Sequence, residues 1–510
     1  MKKWSVGFLI TCLILSTLTI ISVSGKEVSE RNHIVNEPPF QLGVDVLLNE
    51  EIDTIKNKNV GLITNPTGVD QDLNSIVDTL HNHEDVNLVS LYGPEHGVRG
   101  DAQAGEGVEF YIDEKTGLPV YSLYGDTRKP TPEMLEDVDV LIFDIQDVGA
   151  RFYTYIYTMA YSMEAAEEND IEMLILDRPN PISGLNVQGP VLNPDYSSFV
   201  GMYPIPQQHG MTVGELALFF NEEFDIHADL EVIEMAGWER SMYYDDTSLE
   251  WVLPSPNMPT LDTALVYSGT AVIEGTNVSE GRGTAKPFEL IGAPFINGDD
   301  LADELNDLEL PGVQFRAAYF TPQFSKHEGE LSGGIEIYIT DRMAYQSIET
   351  GLTIVKTIHD MYPDEFEFRA ENADGISFFD QLVGNGWVRD KINEGVSIDE
   401  IKAEWNEDLE TFKDLRRDYL LYTITTKDLN DLISSLKDDG EKIEEEAIQA
   451  LEMHLTAVSQ YEKKNEADKV IKHMEGFKLL IDNQRETNLI SKNVHEMLWD
   501  KSDKMIKIWQ

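Results

Sequence analysis

Short unbroken apolar runs, each ending in a polar cluster, set the rhythm of the first half of the chain. Val60–Thr64 runs into Asn65-Pro66-Thr67-Gly68, and Leu88–Tyr92 into Gly93-Pro94-Glu95-His96-Gly97. Val138–Phe143 runs into Asp144-Ile145-Gln146-Asp147, and Met173–Leu176 into Asp177-Arg178-Pro179-Asn180-Pro181. Runs of this length without alternation read as strands buried on both faces of a parallel sheet. Between them the apolar period lengthens to that of a helix. Asp72 to His83 places Leu73, Ile76, Val77 and Leu80 on one face, and Tyr153 to Glu168 is a second helix. Thr131-Pro132-Glu133 has the form of an N-cap with proline at the first helical position. Thr212-Val213-Gly214-Glu215 is a capping box ahead of a helix from Leu216 to Glu223.

The alternation predicts an α/β domain over 41–265, with its polar clusters at the carboxyl ends of the strands, where such sheets bind ligands. After 266 the texture changes. Glycine, threonine and charge crowd 272–284, and Gly334–Thr340 alternates like a half-exposed strand. Helices follow around 347–361 and 397–418, so 266–422 reads as a smaller α+β auxiliary domain. Residues 423–510 are almost free of glycine and proline. Leu451, Leu455, Val458, Val470, Phe477 and Leu480 mark amphipathic faces of three or four helices.

Composition narrows the partners. The 510 residues carry a net charge of −54, which excludes a nucleic-acid ligand, because phosphate backbones require a basic surface. The N-terminus pairs Lys2 and Lys3 with an apolar stretch to Ile21 and small residues at Val23-Ser24-Gly25. It reads as a secretory signal cleaved after Gly25, an uncleaved anchor being the alternative, followed by a polar linker over 26–40. Cys12, the single cysteine, falls inside that signal, so a processed protein has no thiol chemistry and no disulfide. No His-Glu-x-x-His, phosphate loop or Gly-x-Ser-x-Gly elbow occurs. The chain therefore calls for no metal and no cofactor.

The chemistry-bearing residues sit in the clusters. Glu95 is the leading proton donor, and Glu274 or Glu280, in the glycine-rich loop, is its partner, as hydrolysis of a glycosidic bond requires two groups with different roles. Arg99, Arg128, Arg151, Arg178 and Arg282 also occupy the clusters, in a chain otherwise very acidic. They predict guanidinium binding of an anionic substrate group. Asn65, His96, Asp126, Asp144, Gln146, Tyr153, Asn180, His209, Asn257 and Asn277 complete the candidate binding surface. Asp144 is expected to organise it by accepting hydrogen bonds.

Asn65-Pro-Thr-Gly68, Gly93-Pro-Glu-His-Gly97, Asp144-Ile-Gln-Asp-Val-Gly-Ala-Arg-Phe-Tyr153, Asp177-Arg-Pro-Asn-Pro181, Gln208-His-Gly-Met-Thr212, Pro254-Ser-Pro-Asn-Met-Pro259 and Glu274-Gly-Thr-Asn277 with Gly281-Arg-Gly283 occur in this order. Over about 40–422 they resemble the NamZ-like exo-β-N-acetylmuramidases. The resemblance implies a Rossmann-like parallel-sheet catalytic domain with a smaller α+β auxiliary domain, release of terminal N-acetylmuramic acid from the non-reducing end of peptidoglycan fragments, and a catalytic role for Glu95. The sugar's lactyl carboxylate would be the anion the arginines hold. One position departs from the pattern: Gln188 stands before Gly189-Pro190, where many relatives carry an acid. Ala450–Tyr461 and Val470–Lys478 resemble the FIMAH module of secreted enzymes, which implies cell-wall association. A non-catalytic wall-binding protein, or a glycosidase for another acidic or amino sugar, are the competing readings.

Overall fold

The computed structural model describes residues 40–100, 109–125, 127–438 and 441–510. The expected signal and linker, and Asp126, lie outside the described residues. Twelve strands are described: β1 (Asn59–Thr64), β2 (Asn87–Gly93), β3 (Tyr111–Ile112), β4 (Pro119–Ser122), β5 (Val140–Asp144), β6 (Glu172–Leu176), β7 (Gln188–Val191), β8 (Pro206–Gln208), β9 (Leu230–Ile233), β10 (Leu290–Ala293), β11 (Val313–Phe320) and β12 (Ser332–Ile339). Seven form a sheet in the order β3-β4-β2-β1-β5-β6-β9. All its pairings are parallel except β3 with β4.

The four apolar runs are thus the four central strands, and Val60, Leu62, Leu141, Ile142 and Leu174 are wholly buried. The chain winds outward from β1 to β4, then restarts at β5 on the other side of β1. That reversal is the topological switch point, where the strand ends leave a crevice. Asn65 leaves β1 there, and Gln146 and Asp147 follow β5.

Local chemistry moved three boundaries. The helix expected from Asp72 begins at Ile76, and a helix over Gly43–Asn49 precedes it. Asp70 accepts from the backbone N–H groups of Asp72 and Asn74 and ties a turn in which Leu73 is left-handed (φ 63°) and exposed. Thr131-Pro132-Glu133 opens only turns, with Met134 N–H bonding to Thr131 O, and no helix follows. The capping box is present, but its helix already runs from Val213 to Glu223.

β10, β12 and β11 form an antiparallel sheet. β12 is buried from Ser332 to Ile337, not alternately exposed. A Cβ on Gly334 would lie 1.9 Å from Ile291 O, so only glycine permits the close approach of β10. The buried Glu336 pairs with Lys286 at 3.0 Å and with Arg316. Helices Ser347–Met361 and Ile398–Arg416 follow as expected. The C-terminal region has four helices: Thr426–Asp438, Glu445–Glu462, Ala467–Glu486 and Lys492–Trp509. Leu451, Leu455, Val458, Val470 and Phe477 are fully buried between them, while Ile481 fills the core beside a half-exposed Leu480. No helix among the described residues is long and apolar enough to cross a membrane.

Candidate active site

Glu95 lies two residues past β2, half-exposed, in a turn where Gly97 N–H bonds to Pro94 O. His96 is buried and left-handed at φ 76°. Around Glu95 stands a wall of tyrosines. Burial, then the adjacent Glu95 charge, pushes the Tyr124 hydroxyl up to about 12. Tyr153, Tyr155 and Tyr267 are raised too, first by burial, and the Glu95 charge adds to all three. Tyr153 meets Tyr155 edge-on at 5.0 Å and Tyr267 at 5.8 Å. Asn65 stands beside the Tyr155 hydroxyl, which donates to Pro254 O at 2.6 Å.

Tyr267 also feels the charges of Glu274, Arg282 and Asp147. The glycine-rich loop is therefore brought to the Glu95 wall. There Arg282 reaches Glu274 at 3.1 Å and Glu280 at 3.3 Å, and Lys326 reaches Glu280 at 2.9 Å. Burial raises the Glu274 carboxyl, with Arg282 opposing. These groups, with Asn277, His327 and the exposed Arg369, line a cavity of about 500 Å³. Glu280 is almost wholly buried, whereas Glu274 keeps a fifth of its side chain exposed. Asn277 is committed to its own loop, bonding Glu365 O and Glu367 N.

The arginines do not form one fork. Arg99 is anchored by Asp113 and Asp78, each at 3.0 Å. Arg151 is fully buried and donates to Pro190, Ile205 and Leu382 carbonyls, and burial lowers it to about 10. Arg178 is buried on Asp144, at 2.5 and 2.9 Å, and donates to Val69 O. These three are anchored to the fold, although Arg151 Nε has no partner among the described residues. Arg282 remains at the cavity. Arg128 is exposed, with its guanidinium 3.8 Å over the Phe199 ring and beside Tyr124. Asn180 bonds Met211 O and Ile182 N, and Asn257 is buried in its own turn.

A second group lies deeper. Asp147 Oδ2 accepts from Gly149 N–H at 2.6 Å, and His209 Nε2 faces the same oxygen at 3.6 Å, beyond hydrogen-bond reach. Gly149 is required: its φ is +81°, and a Cβ there would lie 2.6 Å from Asn180 Oδ1. His209 Nδ1 accepts from Met211 N–H, so the ring proton sits on Nε2. Among the described residues, Asp147 Oδ1, His209 Nε2, the Tyr153 hydroxyl, Gln146 Oε1 and Gln208 Oε1 are buried without a hydrogen-bond partner. Reading the sequence did not place Asp147, Tyr124, Tyr267, Lys326 or Arg369 in the site. Asp147 was visible in its motif, but Tyr267 belongs to an apolar helix, Leu261–Thr270, and carried no signal.

Residues 60–262 match the family model for the N-terminal part of exo-β-N-acetylmuramidase NamZ, and 265–422 the model for its C-terminal part. Residues 426–507 match the FIMAH domain. The peptidoglycan β-N-acetylmuramidase NamZ of Bacillus subtilis is 56% identical over 422 residues, which are 83% of this chain and all of that protein. Two crystal structures of DUF1343 family proteins from Bacteroides fragilis superpose with TM-scores of 0.70 and 0.61, at 41% and 33% identity. Each covers 76% of this chain and 99% of its own. With two matched models spanning the catalytic half and beyond, the chain belongs to the NamZ exo-β-N-acetylmuramidase family of glycoside hydrolases.

Proposed function

We propose that this chain is a secreted enzyme that removes N-acetylmuramic acid from the non-reducing ends of peptidoglycan fragments, with Glu95 as the proton-transferring group. The observation that carries this reading is the placement of Glu95. It is half-exposed at the end of a central strand, against four tyrosines, one of which also senses Glu274 and Arg282. An aromatic, hydroxyl-bearing wall beside one accessible carboxylate suits a sugar ring and a leaving oxygen. Glu274 stabilises positive charge developing at the anomeric centre, while Glu280 holds the loop through Arg282 and Lys326. Arg282 and Arg128, rather than all five cluster arginines, meet the lactyl carboxylate. Asn65, Gln146, Tyr153 and His209 line the sugar site. The protein is exported with its signal removed after Gly25, and its helical C-terminal region holds it at the cell wall.

A chromogenic pair tests the assignment. Aryl β-N-acetylmuramide should be cleaved far faster than aryl β-N-acetylglucosaminide, which lacks the lactyl group. Equal rates would remove the role given to Arg282 and Arg128. Recovery of a mature N-terminus at Lys26 from the culture medium checks export, and an intact N-terminus in the membrane fraction refutes it.

A further inference from the structure

Five buried polar groups of the deeper cluster lack a hydrogen-bond partner among the described residues, and one of them, Tyr153, feels the Glu95 charge. A buried polar atom left unmatched keeps its full desolvation penalty. Asp147 offers one free acceptor, Oδ1, because Gly149 N–H holds Oδ2. The Tyr153 hydroxyl, which stands beside that of Tyr155, has no partner at full hydrogen-bond geometry, and it feels the charges of both Asp147 and Glu95. One acceptor and one donor within each other's electrostatic reach match a secondary amide, which has one N–H and one C=O. Meanwhile the loop carboxylates are occupied, Glu274 by Arg282, and Glu280 by Arg282 and Lys326. Neither is a free nucleophile.

Resting on the muramidase reading above, we infer that Asp147 and Tyr153 bind the substrate's acetamido group and that this group, not a protein carboxylate, attacks the anomeric carbon. Tyr153 O–H donates to the amide oxygen and orients it. Asp147 Oδ1 accepts from the amide N–H. The C1–O glycosidic bond breaks as Glu95 gives its proton to the leaving oxygen, and the amide oxygen forms a bond to C1. The resulting oxazolinium keeps its N–H on Asp147. Water then adds to C1, its proton passing to the Glu95 carboxylate, and the C1–O bond to the amide opens. Two displacements return the sugar with its original β configuration.

The unmodified full-length chain supplies the first test. Proton NMR of the first-formed sugar should show the β anomer, and the N-trifluoroacetyl analogue of the aryl muramide, a poorer nucleophile, should react at least about 10-fold more slowly. Tyr153→Phe and Asp147→Asn should lower kcat by about 10²-fold or more with the folded state retained. An α anomer, or trifluoroacetyl and acetyl substrates cleaved at matching rates, would overturn the proposal. So would Tyr153→Phe with unchanged kcat. Failure of the unmodified chain to cleave the acetyl substrate would instead refute the muramidase reading itself.

Discussion

Two buried polar groups occupy the same end of the same sheet and differ in one respect: whether their hydrogen bonds are complete. Asp144 and Arg178 close on each other through two contacts, and Thr212, Glu215 and Arg240 form an equally closed set, with Arg240 on both Glu215 oxygens. Asp147, Tyr153, Gln146, Gln208 and His209 leave an atom each without a partner among the described residues. The first kind holds the fold. The second kind is the set that the proposed acetamido contact would complete. Asp144 and Asp147 stand in one motif at the end of β5, so residue type alone does not separate the two kinds; the bonding does.

The largest expected effect breaks the comparison on the functional side. Glu95→Gln should lower turnover of the aryl muramide by about 10²–10⁴-fold, while its urea midpoint stays with the parent's. Retained activity would remove Glu95 from the chemistry. On the structural side, Arg178→Met strands Asp144 as a buried, unpaired charge, whose carboxyl burial already raises. Its expected cost is about 3–5 kcal/mol in equilibrium unfolding. Asp147→Asn should cost much less, since the oxygen it alters has no partner to lose. Equal losses at the two positions would erase the distinction.

The parallel sheet was readable because its central strands are buried on both faces, and so short an uninterrupted apolar run seldom packs in any other setting. The clusters at the strand ends were readable because each begins where such a run stops. Membership of a cluster does not by itself place a side chain in the site. Arg151 and Arg178 stand in glycine- and proline-rich turns, yet they are buried and spend their donors on Leu382 O, Val69 O and Asp144. Their partners lie 34 to 231 residues away, and no local pattern announces them. Leu73 failed for a smaller reason: the Asp70 side chain won its turn's N–H groups from the helix. Tyr267 joined the wall only because the sheet and the glycine-rich loop meet there.

Arg99 sharpens the comparison at lower energy. The guanidinium beside Asp113, helped by Thr116, holds that carboxyl down at about 2 against the opposing effect of burial. A depressed folded-state value stabilises the protein above the ordinary aspartate range, and that stability is lost as pH falls from about 4 toward 2. Because the pair is partly exposed, about 1 kcal/mol is at stake. Arg99→Ala should flatten the acid limb of the stability profile over that range and leave kcat near the parent's. A large loss of kcat would return Arg99 to the substrate.

The smallest effect concerns the helical C-terminal region, which touches the α/β region through Glu239. Lys501 and Lys504 reach its carboxylate at 3.1 and 2.5 Å. Burial alone would raise Glu239, but the two lysines more than reverse it and hold it low. Ion pairs of this kind contribute about 0.2–1 kcal/mol and are screened by salt. Glu239→Gln should therefore leave global unfolding almost unchanged. Its expected signature is local: faster proteolysis of the 423–425 connection at low ionic strength, converging with the parent at high salt. If the two proteins are cleaved at the same rate in both conditions, the contact is held by the apolar neighbours Trp509, Ile508 and Leu420 that surround the connection, and the lysines add charge to a joint that packing already closes.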